Sequence, residues 1–248
     1  MKATADQIRH SLESVARLRQ QRALDAQLAA ADAAIKRFQA LRFQATYPDL
    51  LQSPRYQTAA RFFLYELYSD KDYTQRDQQF ARIASTISKL FPQSVVDTAA
   101  KLAEVHALTE QLDDAMARQY LIVSQANPGL NDTSRYIACW RGVADSAARH
   151  RQLDVVLALG QSLNSLTRQP GLRTLLKMMR GPAGVAGLGA LQSFLESGFD
   201  AFQTMRGADD FLRVISERET HWISRLFIDD EVACETLLAE LFAGAQSA

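Results

Sequence analysis

The stretch RFFLYELYSDKDYTQRDQQFAR, residues 61–82, decides the fold, because an aromatic apolar run is followed at once by a dense set of charges. Residues 62–68 leave little helix surface for water, so we expect a central, buried helix. Glu66 lies inside that run, and a buried acid requires a partner. The stretch therefore predicts either a structural ion pair or a functional site beside the core.

The charged half of the stretch supplies partners for Glu66. Arg61 or Arg76 could neutralise it, and Asp77 close to Thr74 suits the first turn of a new helix. The intervening loop is too short for a calcium loop and lacks its order of ligands. We interpret four residues as a structural polar cluster of ion pairs and helix-start contacts: Arg61, Glu66, Arg76 and Asp77.

Length and composition indicate a single domain spanning residues 1–248. Hydrophobic residues make up 47% of the 248 residues, which is enough for a substantial core. The net charge is zero, so no basic field attracts nucleic acid. No stretch reaches the length of a signal-peptide core or a membrane span, and two cysteines fit a reducing compartment. We expect a cytoplasmic protein that binds neither membrane nor nucleic acid.

The charge is unevenly distributed along the chain. Residues 1–45 contain eight basic and four acidic residues, whereas residues 206–248 contain four basic and nine acidic residues. The two ends should attract each other, either within one chain or between two chains. This asymmetry is one reason to expect self-association or a protein partner, with a homodimer as the simplest form.

Helical spacing and capping residues recur throughout, and alternating β-branched runs are absent, so we predict an all-α fold of about 8–9 helices. A long N-terminal helix is expected from about residue 5 to 45, because no Gly or Pro interrupts it. Residues 1–25 carry only a thin apolar stripe, so we expect them to project or to pack on another chain. Residues 243–248 should form a frayed tail.

Breaking residues place the other helices. A helix of about thirty residues should follow Pro92 and end before Asn127, and Asn131 should cap the next one. The glycine-rich stretch at residues 184–189 lacks the preceding strand and the Gly-Lys-Ser/Thr of a phosphate loop. We interpret it as a close helix approach or as a bend before the helix that carries Leu188.

Five residues form a candidate metal site. His106, Glu110 and Asp113 are spaced so that they share one stripe of a helix. Glu217 and His221 give a second pair one turn apart. Helix bundles hold iron or manganese with such residues, although the Glu-x-x-His pattern of di-iron bundles is missing here. The alternative is that these are ordinary solvated or paired side chains.

Other chemistry has weaker support. Cys139 lies among apolar residues, and no motif places a base beside it, so we expect a core residue and not a nucleophile. No serine lies in a Gly-x-Ser-x-Gly turn. An apolar pocket for a small molecule is a further option, near four aromatic residues: Phe62, Phe63, Tyr65 and Trp140.

Three segments together resemble a bacterial family of all-helical proteins of unknown function. The second segment contains a motif of the type FFLxxLYxxxDxxxRD, from Phe62 to Asp77. The resemblance covers about residues 35–227 and implies a single-domain cytoplasmic protein, with no reaction and no site residues. The three segments are residues 47–56, residues 62–77 and residues 191–199.

These observations leave three functions open. The first, which we favour from the sequence, is a non-enzymatic helical protein that acts through a protein partner or through self-association. This function requires no cofactor. The second is an iron- or manganese-dependent oxidase or oxygenase that uses the five residues of the candidate metal site. The third is a protein that binds a small molecule in an apolar pocket.

Overall fold

The fold is all-helical in the part of the chain that the computed structural model describes, residues 2–66 and 71–246. Thirteen α-helices and no strand occur in this part. In chain order the helices are α1 (Lys2–Ala23), α2 (Ala26–Thr46), α3 (Pro48–Gln52), α4 (Gln57–Glu66), α5 (Thr74–Leu90), α6 (Gln93–Ala126), α7 (Asp132–Val143), α8 (Ser146–Leu166), α9 (Leu172–Met178), α10 (Arg180–Val185), α11 (Gly189–Met205), α12 (Asp209–Ile228) and α13 (Glu231–Gln246).

The all-α prediction is confirmed, but the helix count of about 8–9 is too low. Three of the additional helices, α3, α9 and α10, have between five and seven residues. Such short helices hold too few turns to show an apolar period in the sequence. The remaining difference includes a break near the N-terminus.

The N-terminal region forms two helices where the sequence predicted one. The break falls at Leu24 and Asp25, between α1 and α2. The Asp25 carboxylate accepts hydrogen bonds from the backbone N–H groups of Gln27 and Leu28, both at 3.0 Å. An aspartate can therefore start a new helix without Gly or Pro, because its side chain replaces the missing backbone acceptors.

Helix α1 does not project from the protein, contrary to our expectation for residues 1–25. It packs against α5 and α6, and its thin apolar stripe is buried at Ile8, Leu12 and Val15. Ile8 and Leu12 belong to a core cluster with Phe80 and Leu191. A narrow stripe is sufficient here because charged residues of α1 pair with charged residues of its neighbours on the same side, as described below.

Helix α6 is the central element of the fold. It has 34 residues and packs against α1, α2, α7 and α8. Its length and its end before Asn127 agree with the sequence prediction. Asn131 also caps α7 as predicted, since its side chain accepts a hydrogen bond from the Ser134 N–H at 2.9 Å.

The aromatic run of residues 62–68 contributes to the core through helix α4. Phe63 and Leu64 are buried, and the Phe63 ring lies 5.5 Å from Phe211 and 6.4 Å from Phe202 between ring centroids. The predicted central position of this helix is therefore confirmed up to Glu66. Residues 67–70, which belong to the same prediction, lie outside the described residues.

The predicted bend before α11 is present, whereas the predicted fraying of the C-terminal tail is absent from the described residues. Gly187 has a φ of +67° between α10 and α11, which confirms a bend before the helix that follows Leu188. Helix α13 continues to Gln246, so the described part of the predicted frayed tail is helical, while residues 247–248 lie outside the described residues. Within the described residues, no helix has the length and hydrophobicity needed to cross a bilayer.

Candidate functional site

An ion-pair cluster occupies the junction of α1, α2, α5 and α6. Arg19 connects two acids, because Nη1 donates to Asp77 Oδ2 at 2.8 Å and Nη2 donates to Glu110 Oε1 at 2.9 Å. Arg22 also donates to Glu110 and pairs with Asp32. The cluster consists of Arg19, Arg22, Asp32, Lys36, Arg76, Asp77, His106 and Glu110.

Opposite charges keep the buried acids of the ion-pair cluster ionised. Burial acts to raise the pKa of Glu110, but three neighbouring cations outweigh it and hold the pKa far below that of an ordinary glutamate. Burial acts on the pKa of Asp77 in the same way, and the His106 hydrogen bond and nearby charges lower it. Both carboxylates therefore serve as charge partners near neutral pH and not as proton donors.

His106 belongs to this cluster through Asp77. Its Nε2 lies 2.7 Å from Asp77 Oδ2, and both side chains are largely buried. Because the ionised Asp77 can only accept a hydrogen bond, the proton in this contact is on His106 Nε2. Arg19 Nη2 lies 3.3 Å from the same ring nitrogen. The imidazole is thus fixed by its neighbours on α1 and α5.

Arg76 connects the cluster to an aromatic wall. Its Nε donates to Asp77 Oδ1 at 3.1 Å. Its guanidinium carbon lies 4.1 Å from the centroid of the Tyr73 ring and 4.5 Å from that of Phe194. Arg76 therefore combines an ion pair with stacking on two rings, which favours Arg over Lys at this position.

A small polar cavity, the His106 cavity, borders the ion-pair cluster. Its volume is about 40 Å³, and Glu66, His106, Glu110 and Asp113 all line it. Asp113 is only 2% exposed and accepts a hydrogen bond from Gln39 Nε2 at 3.1 Å, but it forms no ion pair with any described residue. Burial raises the pKa of Asp113 to about 6. Two acids one turn apart on α6 thus have opposite pKa shifts.

The five residues of the candidate metal site divide into two groups. His106, Glu110 and Asp113 share a face of α6 as predicted and line one cavity. Glu217 and His221 are exposed on α12, where Glu217 accepts from Arg213 at 3.1 Å. The carboxylate of Glu110 is occupied by cations. Within residues 2–66 and 71–246, no three His, Cys, Asp or Glu side chains are grouped so that they could hold a metal ion.

The predicted structural polar cluster is only partly formed. Arg76 pairs with Asp77 as expected, and Asp77 lies in the first turn of α5 as predicted, where its carboxylate also contacts His106. Glu66 pairs with Lys71 at 3.2 Å and not with an arginine, while Arg61 is exposed. The helix start uses another acid, because the Thr74 N–H donates to Asp72 Oδ1 at 2.8 Å.

An apolar cavity of about 220 Å³ lies between α4, α5, α6, α8, α9, α10 and α11. Its lining is almost entirely aromatic and aliphatic, with aromatic walls from α4 and α11. The Phe62 and Phe194 ring centroids in this wall are 5.5 Å apart. Residues that line it include Phe62, Phe63, Phe80, Ile83, Ala99, Leu102, Val156, Leu163, Leu176, Phe194, Phe199 and Phe202.

A second polar cavity, the Tyr136 cavity, lies beside the apolar cavity. It also has a volume of about 40 Å³, and Tyr136, Trp140 and Arg149 contribute to its lining. On its wall Arg42 pairs with Glu219 through two hydrogen bonds of 2.8 and 3.2 Å. The Tyr47 hydroxyl also donates to Glu219, at 2.8 Å.

The residues of the Tyr136 cavity could not be recognised as a group from the sequence. Arg42 belongs to the basic end of the chain and Glu219 to the acidic end. The sequence predicted attraction between the two ends but not this particular pair. Arg149 is buried on α8, and its guanidinium carbon lies 4.1 Å from the Trp140 ring centroid. The sequence shows Arg149 among the regularly spaced apolar residues of this helix. That spacing does not indicate which other helices pack against it.

The predicted apolar pocket is correct for two of its four aromatic residues. Phe62 and Phe63 line the apolar cavity. Trp140 lines the Tyr136 cavity instead, and Tyr65 is 50% exposed. Cys139 is buried, and burial raises the pKa of its thiol to about 12, which makes a nucleophilic thiolate unfavourable at neutral pH.

A family model described as "Domain of unknown function (DUF8198)" matches residues 18–233. The chain belongs to this family. The match to DUF8198 agrees with the resemblance to a family of unknown function, and it includes the ion-pair cluster and all three cavities. Comparison with curated proteins gives no match, and neither does comparison with solved structures.

Proposed function

We propose that this DUF8198 protein binds an apolar small molecule or an alkyl chain inside the apolar cavity. The observation that carries the proposal is the cavity itself, with its volume of about 220 Å³ and its aromatic and aliphatic lining. Ligand sites in proteins are concave and mostly apolar, with few polar groups. A cavity of this kind is a better basis for a function than a surface whose charges are already paired.

The energetic cost of the cavity supports this proposal. Each Å³ of apolar cavity in a protein core costs about 24 cal/mol, so a volume of about 220 Å³ corresponds to about 5 kcal/mol. The whole free energy of unfolding of a typical protein is about 5–15 kcal/mol. A ligand that restores the missing contacts would recover much of this cost.

The size of the cavity is compatible with a ligand of moderate size. An engineered apolar cavity of about 150 Å³ is large enough to bind benzene and remains free of water. The cavity here is larger, and Phe62, Phe194 and Phe199 supply flat surfaces for contact. We therefore expect a ligand larger than a single ring, such as a fused aromatic molecule or a medium alkyl chain.

Helices α9 and α10 give the cavity a wall that is suited to ligand access. Leu172, Leu176 and Met179 from this region line the cavity. The α9 helix has no buried residue, and Met178 and Val185 are largely exposed. A wall made of short helices with few buried contacts opens at lower free-energy cost than the long helices on the other sides.

Self-association has less support than it had from the sequence. Part of the charge difference between the two ends is used within the chain, where Arg42 of the basic end pairs with Glu219 of the acidic end. Helix α1, which was expected to need a second chain, is buried against α5 and α6. Both observations therefore have an explanation within one chain.

The proposal is tested by the binding of N-phenyl-1-naphthylamine, a neutral probe whose fluorescence rises in apolar sites. We expect saturable binding to the delipidated protein, with about tenfold weaker binding by Ala99→Phe, since Ala99 lines the cavity and a phenyl group there takes up ligand space. The matched control is Ala126→Phe, at an exposed position of the same helix. Absence of saturable binding, or equal binding by both variants, would refute the proposal.

A further inference from the structure

The Tyr136 cavity and the apolar cavity share part of their walls. Phe63 from α4 and Val156 from α8 line both of them. A ligand with an apolar body in the larger cavity therefore has a polar compartment directly behind these two side chains. The contents of that compartment indicate what the polar end of the ligand should be.

Two buried hydrogen-bond donors in the Tyr136 cavity have no partner. Tyr136 is 2% exposed and Trp140 is 4% exposed. Neither the Tyr136 hydroxyl nor the Trp140 Nε1–H finds a hydrogen-bond partner among the described residues. Leaving such groups unsatisfied in a protein interior costs about 1–3 kcal/mol each. Burial also raises the pKa of Tyr136, so its hydroxyl keeps the proton that it can donate.

The charged residues that line this cavity have a positive balance. Arg42 and Glu219 neutralise each other through their two hydrogen bonds. Arg149 adds a further positive charge, while it donates to Gln152 at 3.4 Å and also attracts Asp113 of the adjoining His106 cavity. Two donors and a guanidinium around one small space favour an anionic acceptor.

We propose that the ligand of this protein is an amphiphilic carboxylate whose apolar part occupies the apolar cavity and whose carboxylate lies between Tyr136, Trp140 and Arg149. This inference rests on the proposed function, because it names the class of ligand for the same site. A volume of about 40 Å³ is large enough for a carboxylate, since a single water needs about 10–15 Å³. Phe63 and Val156 line both cavities, so the bound ligand would pass between these two side chains.

Water in the Tyr136 cavity is the competing explanation, because two or three waters could satisfy the same donors. The two explanations differ in what they predict for ligands of equal chain length. A carboxylate site discriminates strongly between an acid and the corresponding alcohol. A water-filled site next to an apolar cavity binds both equally well.

The experiment is competition of decanoate, decanol and acetate with N-phenyl-1-naphthylamine on the delipidated full chain at pH 8. We expect decanoate to compete at least about tenfold more strongly than decanol, because a charged acceptor meets two donors and a cation. Acetate should not compete, since it lacks the apolar part. Equal competition by decanoate and decanol would overturn the carboxylate site and leave the proposed function standing.

Two variants locate the carboxylate. Tyr136→Phe removes one donor without changing the shape of the side chain, and Arg149→Gln removes the charge. Both should reduce the preference for decanoate over decanol, by about threefold or more in Tyr136→Phe. Retention of the full preference in Tyr136→Phe would place the carboxylate elsewhere and overturn the inference. Failure of the probe itself to bind the unmodified protein would instead refute the proposed function.

Discussion

The ion-pair cluster and the apolar cavity meet at Arg76 and Phe194, yet they are built in opposite ways. In the cluster, each buried acid forms an ion pair with at least one cation, and Glu110 forms ion pairs with three. In the cavity, apolar side chains surround a volume of about 220 Å³ without filling it. Stability explains a network of paired charges, whereas an unfilled apolar space requires a further explanation, for which we propose a ligand.

The largest expected effect comes from removing the negative charge of Glu110, which lies at the centre of the ion-pair cluster. Glu110→Gln leaves Arg19, Arg22 and Lys36 without their shared counter-charge, so the free energy of unfolding should fall by about 3–5 kcal/mol at pH 7. Urea denaturation measures this change. The pKa of Glu110 is lowered in the folded protein, so its contribution should be present above the ordinary glutamate pKa and lost as the pH falls further.

Glu217→Gln is the control for this prediction. Glu217 also pairs with an arginine on a helix, but its side chain is 61% exposed. We expect a change below about 1 kcal/mol in the free energy of unfolding. A loss of similar size in both variants would show that the cluster owes its contribution to helix propensity and not to buried charge.

The second prediction concerns Asp113, one turn further along α6. Its pKa is raised from 3.8 to about 6 by burial, so ionisation above that pH opposes folding. Asp113→Asn should raise the free energy of unfolding at pH 8 by up to about 3 kcal/mol, and at pH 4 by less than about 1 kcal/mol, because there the folded acid is protonated and the unfolded one is only about half ionised. Unfolding measured across this pH range gives the result.

The opposite pH profile would contradict our assignment of Asp113. If Asp113→Asn lost stability at pH 8 and not at pH 4, the carboxylate would be a stabilising charge like Glu110. Gln39 should remain bound in either case, because an asparagine oxygen can also accept its hydrogen bond.

The third prediction concerns the apolar cavity. Ala99→Phe adds apolar atoms to unoccupied space, so it should raise the free energy of unfolding of the ligand-free protein by about 1 kcal/mol. The same variant should lose the stabilisation that added N-phenyl-1-naphthylamine gives the unmodified protein. Thermal unfolding with and without the probe measures both effects. A destabilised Ala99→Phe would indicate that this part of the core has no room for a phenyl group.

The smallest expected effect comes from removing a buried tyrosine hydroxyl that has no hydrogen-bond partner among the described residues. Tyr136→Phe removes a hydroxyl that has no partner among the described residues, so the free energy of unfolding of the ligand-free protein should stay constant or rise by up to about 1 kcal/mol. Tyr47→Phe is the matched variant, and it should lose about 1–2 kcal/mol because it removes a hydrogen bond to the buried Glu219. Equal losses in the two variants would show that Tyr136 has a partner after all.

The sequence contained enough information for the fold class and for one face of α6. Its helical spacing correctly placed His106, Glu110 and Asp113 on the same side, because this follows from 3.6 residues per turn. It could not supply Arg19 and Arg22 of α1 as the partners of Glu110. That contact depends on the break at Asp25, which lets α1 and α2 both pack against α6.

The cavities could not be predicted for a different reason. A sequence shows which apolar residues are present, and Phe62 and Phe63 were correctly associated with a pocket. Whether seven helices fill the space between them depends on side-chain packing, which has no local signature. The same applies to Tyr136, whose hydroxyl group has a partner or lacks one only in the folded protein.

Arg76 would report the occupancy of the apolar cavity if the proposed ligand binds there. Its guanidinium rests on the Phe194 ring at 4.5 Å, and Phe194 is also part of the wall of the apolar cavity. A ligand that moves this ring changes the magnetic shielding at the Arg76 Nε–H, even though the arginine itself touches no ligand. One side-chain resonance in an NMR titration should therefore follow the filling of the cavity, without any label on the ligand.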